Sequence, residues 1–95
     1  MKVIYTGPAQ ADILEMKIYL SNNGNSKIAA NIVMNIKAKI SDLKIFPKRY
    51  ANWGNSEYRF FSVKNYLVFY RYDEKAEKII IERVINSRRN IDELL

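Results

Sequence analysis

Residues 58–85 read YRFFSVKNYLVFYRYDEKAEKIIIERVI, and the alternation in this stretch sets the fold class. Tyr58–Val63 and Tyr66–Tyr72 are β-branched and aromatic runs separated only by Lys64-Asn65, the length of a two-residue hairpin turn. Asp73–Glu77 is polar and reads as a connection, and Lys78–Ile85 returns to strand composition. Successive side chains of a strand point to opposite faces. The middle run therefore offers Tyr66, Val68, Tyr70 and Tyr72 on one side and Leu67, Phe69 and Arg71 on the other. Both sets are apolar enough to be covered, and alternation alone does not say which one is.

Upstream of residue 58 the period changes from two to that of a helix. Lys2–Tyr5 is a short strand-type run, followed by Thr6-Gly7-Pro8. Threonine can cap a helix, and proline is tolerated in its first turn. From Pro8 to about Asn22, Ala9, Ile13, Met16 and Leu20 recur at helical spacing, and Leu14 and Ile18 widen the stripe. Asn22-Asn23-Gly24-Asn25 is a turn cluster. Ser26–Leu43 predicts a second helix, with Ala29, Ile32, Val33, Ile36, Ile40 and Leu43 on one face, ended by Pro47. So short a loop implies an antiparallel pair. Residues 48–57, KRYANWGNSE, show no period. There Trp53 either lids the core or stands ready to stack on a base. Residues 87–95 close the chain as an extended or short helical tail. The expected architecture is a single α+β domain: an N-terminal strand, a two-helix antiparallel hairpin, then three antiparallel strands, with both helices on one sheet face.

Composition narrows the chemistry. The 95 residues contain no cysteine and no histidine. Thiol chemistry and disulfides are excluded, along with the commonest general base and metal ligand. No cofactor or metal is expected. No run approaches the roughly 20 apolar residues that span a bilayer, and the N-terminus has no apolar stretch of signal-peptide length, so the reading is a soluble, cytoplasmic protein. The net charge is +6. It is densest over residues 48–72, where Lys48, Arg49, Arg59, Lys64 and Arg71 face only Glu57. Such a field attracts nucleic acid, ribosomes or an acidic protein segment. A domain this small also buries little surplus surface, so a tight partner would stabilise it as well as control it.

The ordered set of motifs resembles the RelE/ParE toxins of type II toxin–antitoxin systems. The second helix ends in Ile40-Ser41-Asp42-Leu43-Lys44-Ile45-Phe46-Pro47, similar to the family's "I..L..FP". Tyr58-Arg59 follows, and then Tyr66-Leu67-Val68-Phe69-Tyr70-Arg71-Tyr72, similar to "YR(I/V)(F/V)Y.V". The ending from Arg83 to Leu95, RVINSRRNIDELL, resembles "RVLHGRRDLE.LL" of the ParE side. The resemblance implies that helices bury Tyr66, Val68, Tyr70 and Tyr72. It implies an opposite, concave face that presents Arg59, Phe61, Leu67, Phe69 and Arg71 to a target or an antitoxin. Arg83, Arg88 and Arg89 would flank that face.

Within this family, RelE-like members cut messenger RNA on the ribosome with a cluster of Lys, Arg and Tyr, whereas ParE-like members block DNA gyrase without one. Carried over by position, one catalytic lysine falls on Arg59, a second on Phe61, and the catalytic arginine on Leu67. A later arginine falls near Ser87, beside Arg88 and Arg89. The terminal tyrosine falls among Ile91, Leu94 and Leu95. Arg59, Arg88 and Arg89 are thus the candidate catalytic residues. Guanidinium can hold phosphate but does not readily remove a proton, which leaves Glu57 and Glu82 as the possible bases. The reading favours a gyrase-binding, growth-inhibiting toxin neutralised by a cognate antitoxin with an acidic, partly disordered tail. A ribosome-dependent endoribonuclease with a diverged arginine-rich site is the alternative, and a plain RNA-binding module lacks its usual Lys/Arg-Gly-Phe/Tyr signature.

Overall fold

The computed structural model describes residues 1–95. In chain order they form β1 (Lys2–Tyr5), α1 (Gly7–Asn22), α2 (Ser26–Leu43), β2 (Arg59–Val63), β3 (Tyr66–Asp73), β4 (Lys78–Asn86) and a one-turn α3 (Ile91–Leu94). Local chemistry sets the boundaries. Thr6 is extended, and its Oγ1 accepts the amide of Ala9 at 3.1 Å, capping α1. The same hydroxyl donates to the carbonyl of Glu82 at 2.9 Å, tying the helix start to β4. Gly24, at φ +74°, turns the chain between the two helices. Past α2, Tyr70 Oη donates to the carbonyl of Pro47 at 2.9 Å and pins the exit.

The sheet order is β1-β4-β3-β2. β1 lies at one edge, parallel to β4, while β2–β3 and β3–β4 are antiparallel. Val63 pairs with Tyr66 across the two-residue turn, with Lys64 at φ +56°. Phe69 pairs with Arg83 but Tyr70 pairs with Ile81, so Glu82 is the extra residue of a β-bulge.

Two apolar clusters sandwich the sheet. On the helix side, Ile32, Ile36, Ile40 and Leu43 of α2, with Ala9 and Met16 of α1, pack on Phe61, Val63, Val68, Tyr70, Ile79 and Ile81. Tyr66 and Val84 belong to the same cluster, and Tyr72 packs half-buried at its margin. The face opposite the helices holds Phe69, Ile85 and Ile91, with Trp53, Phe60, Leu67 and Leu94 packed round them.

This second cluster corrects the expectation of an open concave floor. Phe69 points away from the helices, but it is fully buried, because the 48–58 loop and the C-terminal tail lie over it. Trp53 meets Phe69 edge-on at 5.4 Å and Phe60 at 5.2 Å, and its Nε1–H donates to Asp92 Oδ1 at 3.0 Å. Of the two roles open to Trp53, the lid is the one it fills here. Phe61 is corrected differently. It pairs with Val68 on the helix side and is buried beneath α2, with Lys39 Nζ 5.6 Å from its ring centre. The hydroxyl-free ring at this position is simply core.

Candidate functional site

The candidate site consists of cations set around the sheet, and each has a definable fate. Arg59 stands opposite Tyr70, one pleat from Phe61, and so belongs to the helix side and not to the concave face. Its Nη1 donates to the carbonyls of Tyr50 at 2.6 Å and Lys48 at 3.2 Å. The guanidinium thus satisfies the turn after α2, where the backbone has no strand partner. The implied outward placement of Arg59 is corrected accordingly.

Arg71 does lie on the face away from the helices. Its Nε donates to Glu82 Oε1 at 2.7 Å, and Glu57 Oε1 lies 3.9 Å away. The hydrogen bond to Glu82 raises its pKa further above the guanidinium's usual range, so Arg71 stays charged throughout. These are the two carboxylates that the sequence offered as bases, and the fold gathers both round one cation. Leu67, also on this face, is half-buried against the tail.

Arg83 is turned inward. Its Nε and Nη2 donate to the two oxygens of Asp12 at 2.7 and 2.9 Å, and its Nη1 donates to the carbonyl of Leu94 at 2.7 Å. Asp12 also accepts the amide of Val84 at 2.9 Å. Its side chain is only 9% exposed. The Asp12 hydrogen bond raises the pKa of Arg83 as well. The expectation that Arg83 flanks a binding face is therefore corrected: β1 ends at Ile81's partner Tyr5, and Arg83 fills the edge that β4 leaves unpaired beyond it. Asp12 was missed in the sequence. Its spacing, three residues after Ala9 and four before Met16, puts a carboxylate on the buried stripe of α1, which was the available signal.

Arg88 and Arg89 are exposed. Arg49, Arg59, Arg71 and Arg83 all find acceptors within the chain. Arg88 and Arg89 are the arginines with none for their side chains; only the Arg88 amide is held, by Asn86 Oδ1 at 2.9 Å. The two lie beyond the end of β4, beside Tyr19, Tyr66 and Asn86. These three neighbours were not singled out from the sequence, because they come from three separate elements.

The model of the ParE toxin of the type II toxin–antitoxin system parDE matches residues 3–91. The chain belongs to the ParE toxin family. A solved structure described as the chromosomal ParDE toxin–antitoxin system from P. aeruginosa superposes with a TM-score of 0.73 at 17% identity, covering 90% of this chain and 95% of that one. No curated protein matches. Membership accounts for the strand–hairpin–sheet order and agrees with the ParE-like ending at Arg83–Leu95. It makes this chain a type II toxin with a cognate antitoxin. No helix of this ParE-family toxin is long and apolar enough to cross a membrane.

Proposed function

We propose that this toxin arrests growth by binding DNA gyrase, as its ParE-side resemblance implies, and that it does so without bond-breaking chemistry of its own. The reading is carried by the scatter of its candidate catalytic arginines. Arg59 pairs with Tyr70, whereas Asn86, two residues before Arg88, pairs with Tyr66 at the other end of β3. Four residues of strand separate the two positions, on the order of 13 Å. RNA cleavage through the 2′-hydroxyl needs a base, an acid and charge-stabilising cations to converge on one phosphate. Here Arg59 serves backbone carbonyls. Glu82, one of the two candidate bases, is engaged by Arg71. Leu67 and Phe61 occupy two of the positions where the ribonucleases of the wider family carry cations. The accessible part of the predicted surface reduces to Arg71 and the Arg88-Arg89 pair, which suits binding.

Purified gyrase supplies the test. The expected result is inhibited supercoiling, or accumulated cleaved DNA, in a reaction holding only gyrase, DNA, nucleotide and toxin. Arg88→Ala with Arg89→Ala should relieve it. Unimpaired supercoiling, together with new message ends at codon boundaries in a translating extract, would overturn the proposal in favour of ribosome-dependent cleavage.

A further inference from the structure

Two clefts meet at Arg88. One, of about 380 Å³, runs between α1 and the end of β4 past Met16, Tyr19 and Arg89. The other, of about 370 Å³, lies between the helix hairpin and the β2–β3 turn, past Leu20, Ile28 and Lys64. Tyr19, Tyr66, Asn86 and Arg88 line both. The floor is apolar, the rim is cationic, and the rim cations Lys64, Arg88 and Arg89 have no ion-pair partner in a chain of net charge +6. Tyr19 is 62% exposed and Ile28 46%, on either side of the second cleft.

We propose that this double cleft is where the toxin takes an acidic amphipathic segment of its antitoxin, a deepening that rests on the toxin–antitoxin reading. Aliphatic side chains of the segment enter between Tyr19 and Ile28, while its carboxylates meet Arg88 and Arg89, whose planar forks suit bidentate pairing. The chemistry of the walls selects a protein occupant over nucleic acid. Half of the lining in each cleft is hydrophobic, with Leu20, Ile28 and Ile32 in the second. Glu15 stands in the wall of the first, where it would repel phosphate. The expected alternative, docking on the sheet face around Leu67 and Phe69, is obstructed by the toxin's own Trp53 loop and tail.

The test uses three probes on the isotope-labelled full chain: a synthetic leucine–glutamate helical peptide, its counterpart with glutamine for glutamate, and a short oligothymidylate. The glutamate peptide should move the amide resonances of Tyr19, Ile28, Lys64 to Tyr66 and Asn86 to Arg89. Its affinity should drop about tenfold in Arg88→Ala and less in Arg88→Lys, which keeps the charge. Tyr19→Ala should weaken it about tenfold too. All three substitutions fall on exposed side chains, so the remaining resonances should keep their positions and report an intact fold. The glutamine peptide should bind weakly or not at all. The proposal is overturned if shifts gather on Leu67 to Arg71 and α3, if no peptide binds, or if oligothymidylate occupies the cleft while the glutamate peptide leaves it undisturbed. Gyrase is absent throughout. Peptide binding without gyrase inhibition would therefore remove the gyrase reading alone, and gyrase inhibition without peptide binding would remove this one alone.

Discussion

Asp12 joins three strangers in sequence: its own helix, the free edge of β4 and, through Arg83, the last turn of the chain. With the Asp12 and Arg83 side chains 9% and 21% exposed, neither charge has much water to fall back on. Removing one partner of such a pair typically costs about 3–5 kcal/mol, since it strands the other. Arg83→Ala should therefore destabilise the toxin by that order, a large share of the roughly 5–15 kcal/mol that holds a small domain folded. Arg83→Lys should recover part of the loss by restoring the charge without the fork. In the double variant Asp12→Asn, Arg83→Met, the total should fall well short of the two single losses added together. Urea unfolding of the four proteins checks this, and strict additivity would show that the pair is not coupled. A stability loss of this kind also separates Arg83 from Arg88. Replacing Arg88, which has no partner to strand, should leave the unfolding midpoint nearly unchanged.

Among the elements, α3 is the least self-sufficient. One turn of helix is far below the length that is stable alone, so Ile91–Leu94 holds its shape through burial of Ile91, the Trp53–Asp92 hydrogen bond and the Arg83–Leu94 contact. Deleting Ile91–Leu95 should expose the Phe69–Ile85 floor and free the indole. Because Trp53 is the only tryptophan, its fluorescence should shift towards longer wavelength and become more quenchable by iodide. An unchanged spectrum would mean that the loop covers the floor without the tail. The element order and the α2 boundaries were legible in the sequence because each rests on local signals: a cap at Thr6, a break at Gly24, alternation from Tyr58. The helix-covered face was legible only through family resemblance, and that resemblance misplaced Arg59 and Phe61 by treating the β2 pleat as the reverse of what it is. The covering of Phe69 was not legible, since it depends on residues 53 and 91 meeting across the whole chain, and no local period encodes a contact of that separation. The same limit hid the cleft at Arg88, to which α1, the β2–β3 turn and β4 each contribute.

At the scale of the whole molecule, a +6 chain repels itself at neutral pH, and that repulsion relaxes as lysines lose their protons near about pH 10. Tyrosine works against this gain. Burial raises the pKa of Tyr5 and Tyr70 above the ordinary 10.0. For Tyr70, desolvation is the largest cause, and the Tyr50 backbone and the Arg59 and Arg49 charges only partly offset it. A group whose folded pKa is raised contributes stability in full below its unfolded value and loses it as pH climbs through the folded one. The neutral phenols are therefore harmless up to about pH 10, and beyond it the unfolded chain gains by ionising while the folded chain cannot follow. Unfolding midpoints in urea should hold level or rise slightly between about pH 8 and pH 9.5, then fall steeply. Tyr70→Phe isolates the cause. At neutral pH it should be less stable by about 1 kcal/mol, from loss of the hydrogen bond to Pro47, which leaves that carbonyl without its partner. Above about pH 10 its curve should decline less and approach that of the parent, because one of the two reluctant phenols is gone. Parallel decline of the two curves would assign the alkaline loss to other groups, and would show that Tyr70 ionises in the folded toxin as freely as it does in the unfolded chain.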